Sequence, residues 1–265
     1  MKSYGPDLFK GTAFYYSRYR PVYPGSLIRY LINRFSLDGQ GVMLDLGCGN
    51  GRLSLRFTDW FQEITGVDTE PEMIDEAVRL CREQRLENLN WFLGDLQSFR
   101  NQYHNSPFKL VTIAQAFHWM KREETLSILY DMIHTGGGAA IIDYSTPDLE
   151  PPAWKRKVNE VVKRWYGIKR KAGEAVYTHP SISHEQIVRE SRFTLETQTL
   201  PQHEKKWSVD DIIGNLYSTS YGSKRFLGEK TPYFEKDLKE ELLSLNDEGI
   251  FWESMQVSIK LAIKI

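Results

Sequence analysis

Three acids and three alternating glycines are the residues of this chain best placed to do chemistry. Asp45 heads the run Asp45-Leu46-Gly47-Cys48-Gly49-Asn50-Gly51, directly after the apolar Val42-Met43-Leu44. Glycine has no Cβ, so it takes positive φ freely and lets a ligand lie against backbone N–H groups that open a helix. A second acid, Asp68, closes Glu63-Ile64-Thr65-Gly66-Val67-Asp68, where an open α/β sheet accepts hydrogen bonds from ribose hydroxyls. Asp95 follows the apolar stretch 89–93 in the same way. Each acid taken singly also reads as a helix cap or a turn acid. Only their common position at strand ends makes them a ligand crevice.

The elements that must carry these residues follow the alternation of strand and helix. Residues 42–46 read as a first strand, 52–60 as a helix and 63–68 as a second strand. Thr69-Glu70-Pro71-Glu72 reads as a capping box with proline in the first turn, opening a helix to about residue 84 with Met73, Ile74, Ala77, Leu80 and Cys81 on one face. Residues 108–113 form a fourth strand, 122–134 a helix ended by Gly136-Gly137-Gly138, and 139–144 a fifth strand. Pro147, Pro151 and Pro152 then interrupt the pattern before a basic amphipathic helix at 153–170. A strand at 193–200, helices at 208–216, 218–227 and 232–245, and a final strand at 250–265 complete the chain. In the last strand Glu253 is the one polar residue on the apolar side.

Charge and spacing narrow the ligand. A dinucleotide fingerprint needs Gly-x-Gly-x-x-Gly, but the third position holds Arg52, and Asp45 would repel a pyrophosphate. No Gly-Lys-Ser or Gly-Lys-Thr follows the glycines, which removes the mononucleotide P-loop. The expected ligand therefore carries a ribose and a positive charge.

With these motifs in order the chain resembles the class I S-adenosylmethionine (SAM)-dependent methyltransferases. The resemblance implies an α/β fold: a Rossmann-like, doubly wound seven-stranded sheet ordered 3-2-1-4-5-7-6, strand 7 antiparallel, with helical lid and cap insertions. It implies that Asp45, Gly47, Cys48, Gly49 and Gly51 wrap the methionine part of the cofactor, Cys48 as a small residue with no catalytic role. By the same resemblance Asp68 and Thr69 meet the ribose, Met73 lies beside the adenine, and Asp95 accepts from the adenine amine with Leu96 offering backbone. Ala114-Gln115-Ala116-Phe117-His118-Trp119 falls where the family brings donor and acceptor together. Met73 reads equally well as core filler. The sequence Arg20-Pro21-Val22-Tyr23-Pro24, with Tyr16 upstream, is similar to the trans-aconitate methyltransferase-like branch, where an aromatic and an Arg close over the methionine part. Tyr16 and Arg20 are the matching residues.

Methyl transfer is an in-line displacement, so the protein mainly fixes distance and angle. His118 is the best-placed base, with packing in the pocket wall as its simpler role. Trp119 and Tyr221 are expected against the sulfonium or a flat acceptor, and Arg225 against an acid. The Asn/Asp-Pro-Pro-Tyr turn of methyltransferases acting on DNA bases or protein glutamine is absent after strand four, and neither cysteine follows a proline. A small organic acceptor remains. A SAM-binding sensor or partner subunit without transfer activity, and a nicotinamide-dependent oxidoreductase, are the alternatives.

The 265 residues are 41% hydrophobic and 26% charged, with 34 basic against 35 acidic side chains, enough for one substantial core. The expected organisation is one domain over 1–265: a lid and helix at 1–35, a cofactor core at 40–145, cap insertions at 146–190 and 203–248, and the terminal strand. The near-zero net charge argues against a polyanionic partner, so no nucleic acid is expected. The basic run of Lys155, Arg156, Lys157, Lys163, Arg164 and residues 169–171 reads as a solvated helix face. Two cysteines, no signal segment and no membrane-length apolar run point to a cytoplasmic protein with no membrane partner, a monomer or homodimer, and no metal.

Overall fold

A computed structural model of the chain describes residues 7–103, 107–145, 150–169, 171–173, 175–176 and 181–265. Pro147, and parts of the expected 1–35 lid and 146–190 insertion, lie outside them.

Five parallel strands form the frame: β1 (Val42–Leu46), β2 (Glu63–Asp68), β3 (Leu89–Leu93), β4 (Phe108–Ala114) and β5 (Ile133–Ser145). A short hairpin, β6 (Lys171–Ala172) and β7 (Ala175–Val176), stands apart. Then come β8 (Thr194–Thr199), β9 (His203–Ser208) and the 14-residue β10 (Ile250–Ile263). The sheet order is β3-β2-β1-β4-β5-β10-β8, with β10 antiparallel to both neighbours. Counting only the expected strands, this is the 3-2-1-4-5-7-6 order. β9 is an unexpected eighth strand: it pairs with residues 250–255 of β10, while residues 256–263 pair with β5 and β8. The one long strand thus ties the sheet to its cap.

Strand alternation divides the core. Met43, Leu110, Ala140, Ile142, Val257, Ile259 and Leu261 face α2 (Gly25–Phe35), which buries Leu27, Ile28, Leu31 and Phe35. Leu44, Leu46, Val111, Ile113, Ala139 and Ile141 face the other way. They meet α4 (Leu96–Gln102), α5 (Arg122–Met132) and α7 (His184–Arg189). The period of two along each strand gives both layers an apolar contact, as a doubly wound sheet requires. A third apolar cluster lies in the cap, where α6 (Ala153–Tyr166), α8 (Val209–Tyr217) and α9 (Thr231–Leu243) pack with Trp207 and Phe251. On the basic face of α6, Arg164 meets Asp237 at 2.8 Å and Lys157 meets Glu241 at 3.1 Å.

Several local expectations change. Residues 52–60 form two 3-10 turns, Ser54–Arg56 and Thr58–Trp60, because the chain has only the span between β1 and β2 in which to cross over. The helix α3 (Pro71–Glu83) begins at Glu70 without a side-chain cap bond, so the Thr69 capping box does not form; Pro71 opens it alone. Residues 133–138 join β5, since Gly138 pairs with both Leu110 and Ile263. Residues 218–227 hold only a 3-10 turn, Lys224–Phe226. The N-terminal aromatic stretch contains the helix α1 (Ala13–Tyr19), seated against α8 and α3. Among the described residues no helix is long and apolar enough to cross a membrane.

Candidate active site

The glycine loop leaves the C-terminal end of β1 with Gly47, Gly49 and Gly51 all at positive φ, +71°, +54° and +72°. A Cβ on Gly47 would stand 2.6 Å from the Ala116 Cβ, and one on Gly51 would enter the Trp91 ring. The Gly47 and Cys48 N–H groups donate to the Val67 carbonyl, locking the loop against β2. Gly49 N–H donates to Asp68 Oδ2 at 2.8 Å, and Glu70 N–H to Asp68 Oδ1 at 2.9 Å. The second strand-end acid is therefore the hub between cradle and α3. Burial holds its carboxyl above the usual carboxylate range.

Asp45 is buried and accepts Ser54 Oγ at 2.6 Å and Thr112 Oγ1 at 2.7 Å. Burial raises this carboxyl as well, opposed by those two hydroxyls. The Cys48 thiol is pushed well up by burial and by the Asp68 and Asp45 charges, which suits a packed loop residue and not a nucleophile.

Two cavities flank the loop. The larger, about 640 Å³, is lined by Gly47, Gly49, Asp68, Thr69, Met73, Asp95, Leu96 and Trp119 among others. Met73 is fully buried there, and Asp95 caps α4 through Ser98 N–H at 2.8 Å while still facing the cavity. The smaller, about 400 Å³, is lined near the loop by Arg20, Asp45, Cys48, Arg52 and Tyr144. At its far end stand Trp154, Lys155, Trp207, Tyr221 and Glu253. Tyr16, Gly47, Ala114 and Gln115 line both cavities, so the two meet at the cradle. Gln115, after β4, carries a positive φ of 55°, a backbone strain held by its N–H bond to the Ile142 carbonyl.

The lid is fixed by charge. The Arg52 guanidinium donates to the Ser17 and Arg20 carbonyls, which explains an Arg where a dinucleotide fingerprint has glycine. Arg20 lies 5.2 Å from the Tyr16 ring centre, donates NH2 to the Ser218 carbonyl at 3.1 Å, and leaves a buried Nε without a partner.

Two expected residues fall elsewhere. Arg225 is exposed, lines neither cavity and donates to the Asp7 carbonyl. His118 lines neither cavity; its ring is turned toward Asp143 and His184, the three offering ligand atoms within 4.8 Å of one another. Lys260 Nζ already meets Asp143 at 3.0 Å and Arg122 NH1 meets His184 Nδ1 at 3.2 Å, so two cations oppose a metal ion in that cluster. Sequence reasoning missed Glu70, Tyr144 and the cap residues Trp154, Lys155 and Trp207. Glu253 carried the one visible signal, a charge on an apolar strand face, and its Oε2 accepts Trp207 Nε1 at 2.9 Å while Oε1 takes Lys155.

An antiparallel strand inserted beside β5, a glycine cradle after β1 and acids at the ends of β1, β2 and β3 define the class I SAM-dependent methyltransferase fold. Residues 43–137 match the methyltransferase domain family. An uncharacterized methyltransferase of Schizosaccharomyces pombe is 27% identical over 77% of this chain and 75% of its own length. A probable S-adenosylmethionine-dependent methyltransferase of Saccharomyces cerevisiae is 27% identical over 51% of this chain and 46% of its own. The chain thus spans from under half to three quarters of the length of these curated relatives. In fold it is similar to a putative type II methyltransferase of Anaeromyxobacter dehalogenans, with TM-score 0.59, 20% identity, and 92% and 95% of the two chains covered. Over residues 43–137 the chain is similar to the methyltransferase domain family, and in fold it is similar to methyltransferases of solved structure.

Proposed function

We propose that this protein transfers a methyl group from SAM to a small organic acceptor held in the 400 Å³ cavity. The observation that carries this reading is the meeting of two cavities at Tyr16, Gly47, Ala114 and Gln115. The residues fit the cofactor: a cradle whose three glycines all sit at positive φ, two carboxylates where a ribose and a cation are expected, and an unpartnered Arg20 Nε beside the lid. Bound SAM supplies a methyl group activated by the sulfonium. Asp68 would hold the ribose, Met73, Asp95 and Leu96 would surround the adenine, and Tyr16 and Arg20 would close over the methionine part.

The acceptor chamber is small, as a pocket for a small organic molecule should be, and aromatic at Trp154, Trp207 and Tyr221. No imidazole lines either cavity among the described residues, so the chain's part is orientation and exclusion of water rather than proton removal by histidine. The Tyr16 and Arg20-Pro21-Val22-Tyr23-Pro24 lid keeps the reading close to the trans-aconitate methyltransferase-like branch. We take the chain as one methyltransferase domain, with 146–190 and 203–248 as its cap.

The test is turnover of SAM to S-adenosylhomocysteine against a pool of small acids, phenols and amines, read by mass spectrometry. Binding of neither compound at about millimolar concentration, an affinity of only about −4 kcal/mol, would refute the reading. Binding without turnover of any pool member would favour a sensor.

Acid should weaken cofactor binding earlier than an ordinary carboxylate would predict. A ribose-holding Asp68 must be ionised, and burial raises its pKa in the free protein, so protonation begins above the usual value of about 4. Affinity for S-adenosylhomocysteine is therefore expected to begin falling with acid above the usual carboxylate value of about 4. Calorimetry as pH is lowered, with flat affinity down to about pH 4.5, would contradict it. For stability the same shift has the opposite sign: a raised folded-state pKa favours the fold at low pH, a contribution lost as pH rises through it.

A further inference from the structure

Glu70 stands two residues beyond Asp68, where the chain leaves β2 and enters α3. It is 5% exposed and lines the larger cavity beside Asp68 and Thr69. Its Oε2 is buried and has no hydrogen-bond partner. The position is the N-cap of α3; no well-formed side-chain cap bond is made, the Glu72 N–H only partly offsets the burial of the carboxyl, and Oε2 stays unpartnered. The neighbouring acid Glu72 is used differently: its Oε2 accepts the Gly11 N–H at 2.7 Å and ties down the lid. Asp68, meanwhile, already accepts one backbone N–H on each oxygen.

A buried carboxylate oxygen without a donor is costly, and such a group lining a cavity points to a donor brought by the ligand. A nucleoside ribose brings two adjacent O–H donors. Asp68, with one N–H on each oxygen, keeps one free lone pair on each, and the unpartnered Glu70 Oε2 lines the same cavity as a further acceptor for the diol. We propose that Glu70 is the second ribose-holding carboxylate, accepting one hydroxyl of the cofactor's vicinal diol through Oε2 while Asp68 accepts the other. This rests on the SAM reading given above. It makes the site a diol reader, selective for ribose over deoxyribose, because a missing hydroxyl leaves a buried acceptor unsatisfied.

The experiment is a cycle of protein and ligand changes read by calorimetry. S-adenosylhomocysteine and its 2′-deoxy and 3′-deoxy analogues are titrated into the wild-type chain, Glu70→Ala and Glu70→Gln. In the wild type, loss of either hydroxyl is expected to weaken binding about tenfold or more. Glu70→Ala should weaken the parent ligand about tenfold and shrink the penalty for one of the two hydroxyls to under about twofold, leaving the other intact. A loss of fit at α3 alone would weaken all three ligands equally, so equal weakening overturns the proposal, as does wild-type affinity in Glu70→Ala. Should Glu70→Ala not fold, Glu70→Gln, which keeps the volume, carries the same comparison with a smaller shift. Failure of the wild type to bind S-adenosylhomocysteine at all would instead strike the methyltransferase reading.

Discussion

Replacing Gly49 with valine is expected to weaken binding of S-adenosylhomocysteine by about 100-fold or more, about 2.7 kcal/mol, while the protein stays folded. Gly49 sits at φ +54°, a left-handed conformation that costs a residue with Cβ about 1–2 kcal/mol, and a β-branched residue more. Relief of that strain would turn the N–H away from Asp68 Oδ2, undoing the bond that joins cradle to β2. A Cβ at this position is 3.5 Å from the Tyr16 ring, an ordinary contact, so the two methyl groups of valine would push against the lid and into the cavity. Gly51 is a poorer choice, because a Cβ there would enter the Trp91 ring and strike the core. Calorimetric titration, with a thermal midpoint to show that the fold survives, reads the result. An affinity within about threefold of wild type would sink the assignment of this loop to the cofactor.

The second large effect is on stability. Lys155→Met is expected to destabilise the protein by about 2–4 kcal/mol. The Glu253 side chain is 7% exposed and has two donors, Lys155 Nζ and Trp207 Nε1. Removing the lysine leaves a buried carboxylate with a single neutral donor, and an uncompensated buried charge usually costs about 3–5 kcal/mol. The lysine is 26% exposed, so water can partly replace it and the lower part of that range applies. Adding Glu253→Leu should recover most of the loss, since an apolar pair can substitute for a buried ion pair, less about 1 kcal/mol for the stranded Trp207 N–H. Denaturant unfolding of both single variants and the double variant gives the coupling energy directly. A Lys155→Met loss under about 0.5 kcal/mol would show that the pair is wet and unimportant.

That ion pair also marks how far the sequence could be read. Asp45, Gly47, Gly49, Gly51, Asp68 and Asp95 were legible because glycine and carboxylate at strand ends leave a local pattern: the chain must turn there, and the ligand meets backbone. Met73 lines the expected cavity for the same reason, its helix being placed by proline and amphipathic period. His118 and Arg225 line neither cavity, and sequence fixes neither the direction of a side chain after a 3-10 turn nor the approach of a cap segment. His118 follows β4 as expected, yet its ring joins Asp143 and His184 on the α7 side.

The strand pairing separates what each level determines. Period-two alternation assigned the faces of β10 from sequence, because hydrophobicity is local information, whereas the continuous apolar runs of β1, β4 and β5 acquire their two faces only in the sheet. The partner of a strand is not local. That β10 would pair with β9 over residues 250–255 before joining β5 and β8, and so carry Glu253 into the smaller cavity, depends on contacts between segments more than forty residues apart in sequence. The sequence alone therefore determined the glycine loop and the class of fold, both written in short-range spacing. Only the tertiary structure decided the 400 Å³ cavity, which α6, α8, β9 and β10 line jointly and which no one of them encodes.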